Sequence, residues 1–155
     1  MNSNERTIRD FYSAFQKRDA AAMAACYHPD IRFSDPVFPD LRGARAAAMW
    51  RMLCERGTDL QIEFRDVTAD GRRGAAHWEA RYTYSGTGRP VLNRIDATFE
   101  FSGDKIIRHT DAFDLYRWAR QALGPVGWLL GWTPAVHKKI RHTADAALER
   151  YLGAK

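Results

Sequence analysis

From Leu60 to Phe113 the chain reads LQIEFRDVTADGRRGAAHWEARYTYSGTGRPVLNRIDATFEFSGDKIIRHTDAF, and the period of this stretch is two. Leu60, Ile62 and Phe64 alternate with Gln61, Glu63 and Arg65. Trp78, Ala80, Tyr82 and Tyr84 alternate with Glu79, Arg81 and Thr83. Ile95, Ala97, Phe99 and Phe101 alternate with Arg94, Asp96, Thr98 and Glu100. Asp70-Gly71, Gly86-Thr87-Gly88 and Ser102-Gly103-Asp104 supply the turns, and a last strand runs from Lys105 to about Phe113. Strands joined by such tight turns predict an antiparallel meander with one buried face.

On either side the period changes to that of a helix. Upstream, Ile8, Phe11, Tyr12 and Phe15 repeat at three- and four-residue spacing and form one apolar stripe. Asp19 caps a second short helix, expected to run through Tyr27 and to end at His28-Pro29. A brief extended stretch, Ile31–Phe33, precedes a proline-containing loop, and a third helix runs from Gly43 to a stop at Gly57. Downstream, Leu115 to Leu123 is helical, Gly124-Pro125 breaks it, and Pro134 opens a final helix. Helices segregated from a meander define an α+β fold. A bent sheet closed on one side by helices leaves a conical cavity, a common place for a small-molecule site.

Bulk properties narrow the function. The 155 residues carry 24 Lys and Arg against 19 Asp and Glu, a formal charge of +5. These charges are interleaved along the chain, clustering only around residues 137–142, so no nucleic-acid partner is expected. Val126–Trp132 is the most apolar stretch, too short to span a bilayer and cut by Gly127 and Gly131, so no membrane partner is expected either. Cys26 and Cys54 fall in helix-like apolar stretches and, with no signal peptide, read as reduced core residues of a cytoplasmic protein. The five histidines show no metal-ligating pattern, and no phosphate loop, dinucleotide fingerprint or nucleophile elbow is present, so neither metal nor cofactor is expected.

Four features, in this order, carry a resemblance over roughly residues 5–116. They are Phe11-Tyr12 with Phe15, Arg18-Asp19 and Tyr27-His28-Pro29-Asp30; Phe33-Ser34-Asp35-Pro36; Phe99-Glu100-Phe101 through Gly103 to Lys105-Ile106; and Asp111-Ala112-Phe113-Asp114-Leu115. The chain resembles the nuclear-transport-factor-2-like superfamily, which includes ketosteroid isomerases, SnoaL-like polyketide cyclases, limonene-type epoxide hydrolases and many non-catalytic members. The resemblance implies N-terminal helices packed in a strongly curved antiparallel sheet, a cone-shaped roll over residues 1–116, with residues 117–155 as a helical extension of the same domain. It also implies a homodimer through the outward face of the sheet.

Asp35 is the first candidate for chemistry, because the isomerase general base is the aspartate of a similar Asp-Pro step. A carboxyl half-buried in an apolar cavity has a raised pKa and can take a proton alpha to a carbonyl. The competing reading of Asp35 is a turn cap before Pro36. His109 and Asp111 share one face of the last strand with Ile107 and Phe113, and could act as an acid–base pair. In the epoxide hydrolases the aspartate resembling Asp111 is catalytic. The isomerases' first-helix tyrosine matches Phe11, and Tyr12 beside it points about 100° away. Their second donor, an aspartate, falls by gap-free counting at Asp96, which the strand alternation sends outward. The epoxide-hydrolase Arg-x-Asp pair would fall at Trp78 and Ala80, while Arg94-Ile95-Asp96 has the spacing on the wrong strand.

The expected function is therefore binding of a small hydrophobic molecule, with Asp35, His109 and Asp111 as candidate catalytic residues. Tyr12, Phe33, Trp50, Trp78, Tyr82, Phe99 and Phe113 are the candidate ligand-binding wall. Cofactor-free isomerase or cyclase chemistry on a carbonyl compound is the leading enzymatic reading, and a non-catalytic binding or interaction domain is the alternative. Val126, Trp128, Leu129, Leu130 and Trp132 are too apolar to lie free in water, and are expected to close the cavity mouth.

Overall fold

The computed structural model describes residues 2–154. Its helices are α1 (Ser3–Gln16), α2 (Ala20–Ala25), α3 (Ala44–Arg56), α4 (Leu115–Leu123), α5 (Pro125–Leu130) and α6 (Pro134–Gly153). Its strands are β1 (Tyr27–Ser34), β2 (Leu41–Arg42), β3 (Gln61–Ala69), β4 (Arg73–Tyr84), β5 (Arg89–Ser102) and β6 (Lys105–Ala112). They form one sheet in the order β2-β1-β6-β5-β4-β3.

The meander from β3 to β6 is antiparallel throughout, as its alternation predicts. β1 lies parallel to β6, with Phe33 opposite His109 and Ser34 opposite Thr110, so the sheet is mixed rather than purely antiparallel. β1 is also longer than the expected Ile31–Phe33. α2 ends at Ala25, and Tyr27 opens the strand instead of closing the helix. Pro29 disfavours helical backbone just before it, and the Ile106 amide, bonded to the Cys26 carbonyl at 2.9 Å, draws the chain into the sheet.

Two irregularities bend the sheet and set which side chains face inward. Register shifts between Arg65 and Thr68, where Asp66 has φ 58°, and a second shift follows Glu100 in the β5–β6 pair. Such bulges bend a strand and increase its twist. The second one changes the inward phase of β6. Ile106, His109 and Asp111 are buried, whereas Ile107, expected on their face, is only half-buried. Asp96 points outward as the alternation requires, its side chain exposed and bonded to His77 Nδ1 at 2.9 Å.

The α1 stripe of Ile8, Phe11, Tyr12 and Phe15 is buried in the concave face together with Trp50 of α3 and Trp78 of β4. Asp19 caps α2 as the sequence suggests, its Oδ1 accepting the Ala22 amide at 3.0 Å, and Asp114 caps α4 in the same way, its Oδ1 accepting that of Arg117 at 3.1 Å. α4 packs on β5, where the Gln121 amide accepts from the Leu92 N–H at 2.8 Å and donates to its carbonyl at 3.1 Å. A side chain thus satisfies backbone groups of β5 that lie beyond the end of its pairing with β6.

The tail differs from expectation in one respect. Gly127 and Gly131 do not prevent helix formation; they allow α5 to lie against α4, where a Cβ at either position would collide with Ala119. Because the glycines face inward, Val126, Trp128, Leu129, Leu130 and Trp132 face outward and are exposed in the protomer. They do not close the cavity mouth. No helix among the described residues is long and apolar enough to cross a membrane.

Candidate functional site

The concave face encloses a cavity of about 620 Å³ lined mainly by apolar side chains. That volume suits a small organic ligand. Of the three aspartates that line it, Asp59 is exposed, and Asp35 and Asp111 stand deeper in its wall. The parallel register explains why. Phe33 and His109 face each other across β1 and β6, and the two-residue period then turns Asp35 and Asp111 to the same side.

Asp35 sits one residue beyond the end of β1, where it closes a turn and also lines the cavity. Its Oδ1 accepts the amides of Val37 at 2.7 Å and Phe38 at 2.6 Å. Oδ2 makes no hydrogen bond to a described residue. Burial raises the Asp35 pKa from the usual 3.8 to about 7; the Phe38 and Val37 amides oppose the shift and the Asp111 charge adds to it. At neutral pH this carboxyl is therefore poised between its two forms.

Asp111 is only 3% exposed and is held from behind. Its Oδ1 accepts from His109 Nε2 at 2.9 Å and from Trp78 Nε1 at 3.3 Å. His109 Nδ1 meets the Tyr27 hydroxyl at 2.8 Å, and Trp50 Nε1 donates to that hydroxyl at 2.8 Å. The donor inventory orders the chain. Trp50 can only donate, so the Tyr27 O–H is free to donate to Nδ1, which leaves the imidazole proton on Nε2, directed at Asp111. His109 is fully buried, boxed by Phe11, Phe33, Phe99 and a Trp50 ring stacked at 12°. It does not reach the cavity. Its place is behind Asp111, as a positioning residue rather than a direct acid or base.

Of the predicted wall, Trp50, Trp78, Tyr82 and Phe113 line the cavity. Tyr12, Phe33 and Phe99 do not: each is at most 2% exposed and packs beneath the lining. Tyr12 stacks on Phe64 with its hydroxyl buried and unpartnered, and burial, then the charges of Asp111 and Tyr27, push its pKa well above the usual value. The rest of the wall includes Phe15, Met49, Leu60, Ile95 and Trp118, read from the sequence as helix or strand residues without a site role, and Phe38 of the proline-containing loop. The tail does reach the site, through Trp118 of α4 and Ala147 of α6.

Tyr82 carries more than apolar surface. Trp118 Nε1 donates to its hydroxyl at 2.7 Å, and the Tyr82 O–H has no acceptor among the described residues. Burial pushes this phenol up to about 12, with the Trp118 bond opposing and the Tyr84 and Asp35 charges adding, so it stays a proton donor. Arg94 and Asp96 lie on the outward face, and Trp78 and Ala80 line the cavity where epoxide hydrolases carry their Arg-x-Asp pair. No three His, Cys, Asp or Glu side chains among the described residues are grouped as metal ligands would be.

Comparison with known proteins agrees with this architecture. A protein from Jannaschia sp. assigned as a SnoaL-like polyketide cyclase superposes with a TM-score of 0.69 at 16% identity, over 79% of this chain and 93% of that one. One from Xanthomonas campestris pv. campestris, assigned as a polyketide cyclase, gives 0.61 at 24% identity over 77% and 98%. An epoxide hydrolase of the LEH-like type from M. tuberculosis gives 0.63 at 21% over 83% and 95%. At these identities the likeness is one of fold. No protein of curated function matches the sequence. The SnoaL-like domain family matches residues 8–109, about two thirds of the chain and nearly the whole helix-and-meander unit described above. The chain belongs to the SnoaL-like domain family.

Proposed function

We propose that the protein binds a hydrophobic carbonyl compound in this cavity and moves a proton on it without a cofactor, as an isomerase or cyclase does. One observation carries the reading: the carboxyls of Asp35, just past β1, and Asp111, on β6, enter one largely apolar cavity, each with Oδ1 held by two N–H donors and Oδ2 without a partner among the described residues. Asp35 Oδ2 is the base that takes the proton alpha to the carbonyl. The Tyr82 O–H donates to the developing oxyanion, a role for which a preoriented donor in a dry site is suited. The Asp35 carboxyl, protonated by that step, returns the proton at a different carbon, and Asp111, held by His109 and Trp78, is the second carboxyl, whose charge adds to the proton affinity of Asp35.

A second reading, binding without turnover, draws support from Phe11 standing where isomerases carry a tyrosine. Proton NMR in deuterium oxide separates the two, following exchange of alpha protons on a panel of hydrophobic cyclic ketones. The proposal expects exchange faster than buffer, slowed about 10²–10⁴-fold in Asp35→Asn and about 10–10³-fold in Tyr82→Phe. Ketones that bind and shift cavity resonances, yet exchange no faster than in buffer, would establish the binding-only reading.

A further inference from the structure

Among the described residues, the exposed large hydrophobics all lie on one short segment: Val126, Trp128, Leu129, Leu130 and Trp132. Trp128 is 58% exposed, Leu129 73% and Trp132 63%. This is not a frayed loop. The Tyr116 hydroxyl donates to the Trp128 carbonyl at 2.9 Å, Trp132 Nε1 donates to the Leu129 carbonyl at 3.1 Å, and the Arg120 guanidinium lies 4.6 Å from the Trp128 ring centroid. The Gly127 and Gly131 contacts with Ala119 seat the whole tip on α4. The fold therefore presents these side chains to water in a fixed arrangement.

The chain on either side of the tip is rich in basic residues. From Leu115 to Ala144 there are five basic residues (Arg117, Arg120, Lys138, Lys139 and Arg141) and no Asp or Glu. That stretch carries the chain's whole formal charge of +5, since the remainder has 19 acids and as many bases. Arg117, Lys138 and Lys139 are exposed. Lys138 and Lys139 lie in the second turn of α6, within roughly 8 Å of its start at about 1.5 Å per residue. α6 is tied directly to the tip by the Thr133 amide, which bonds the Leu130 carbonyl at 2.9 Å.

An occupant of this surface must be apolar where the tip inserts and anionic around it. A lipid surface with acidic headgroups meets both demands: tryptophans favour the headgroup boundary, leucines the acyl chains beneath it, and arginine and lysine the phosphates. A second copy docked tip to tip would bring two stretches of net positive charge together. A nucleic acid would leave Leu129 and Leu130 in water. We infer that the α5 tip docks on the surface of anionic membranes, inserting Trp128, Leu129, Leu130 and Trp132 while Arg117, Arg120, Lys138 and Lys139 meet lipid phosphates. The contact is superficial and requires no spanning helix.

Flotation of the full chain with vesicles of phosphatidylcholine containing about a third phosphatidylglycerol tests this, against vesicles of phosphatidylcholine alone. The protein should float with the anionic vesicles and at least about tenfold less with neutral ones, and added salt should weaken the association. Trp128→Ser/Leu129→Ser and, separately, Arg117→Glu/Lys139→Glu should each cut binding about tenfold or more while leaving the thermal melt and cavity ligand binding unchanged. These positions lie outside the cavity wall, so their effect is independent of the chemistry proposed there. Failure to float with anionic vesicles, equal flotation of the Trp128→Ser/Leu129→Ser variant, or a dimer that this variant splits into monomers would each overturn the inference.

Discussion

Asp35 concentrates the tension between folding and chemistry in a single side chain. Its carboxyl has a pKa of about 7 in the fold against 3.8 for an ordinary aspartate, chiefly through burial. The folded state therefore holds a proton that the unfolded chain releases, and stability falls as pH rises from about 4 through 7. Asp35→Asn keeps an oxygen for the Val37 and Phe38 amides but carries no charge to bury. It should be more stable than the parent at pH 8 by on the order of 1–3 kcal/mol, and near parity at pH 4, as measured by urea unfolding at the two pH values. Equal effects at both would show that burial does not penalise the charge. His109 presents the opposite case, a polar ring fully buried yet fully bonded. His109→Ala removes that ring from a packed box and deprives both the Tyr27 hydroxyl and Asp111 of a partner. A loss of about 3 kcal/mol or more in unfolding free energy is expected. A loss under about 1 kcal/mol would mean the chain from Trp50 to Asp111 contributes little.

At the level of elements, strand alternation told which side chains face inward but not how deep each lies. Alternation thus gave Asp111, Trp78, Tyr82 and Phe113, the resemblance of the Asp-Pro step gave Asp35 and the helical stripe gave Trp50, all of which line the cavity, while Tyr12, Phe33 and Phe99 were placed there and instead pack beneath it. Depth depends on where α1 and α3 press against the sheet, which no local period encodes. The bulge in the β5–β6 pair likewise exchanged Ile106 for Ile107 on the inner face, because one unpaired residue shifts the phase and leaves no compositional mark. α5 was misread for a different reason. Its apolar content argued for burial, yet the glycines occupy the packed side and push the large residues out. Gly127→Ala should accordingly separate α5 from α4 and destabilise the protein by about 1–3 kcal/mol, measured by thermal unfolding. An unchanged melt would show that the α4–α5 contact is not tight.

The whole molecule leaves a broad polar face on the outside of the sheet, where His77 bonds both Glu79 and Asp96 beside the exposed Arg81 and Arg94. We propose this face, as the superfamily resemblance implies, as the surface on which two copies meet. Sedimentation at micromolar concentration should then report about twice the 17.7 kDa chain mass, and a species of 17.7 kDa alone would contradict it. Helices, meander and tail serve one arrangement, in which β1 and β6 run side by side and deliver the Asp35 and Asp111 carboxyls into one largely apolar cavity. The central claim is that Asp35 and Asp111 feel one another there, and side-chain carboxyl NMR tests it most directly. The account predicts an Asp35 midpoint near 7 that falls when Asp111→Asn removes the neighbouring charge. A midpoint at or below about 3.9, unmoved by that substitution, would contradict it and leave Asp35 as a turn residue alone.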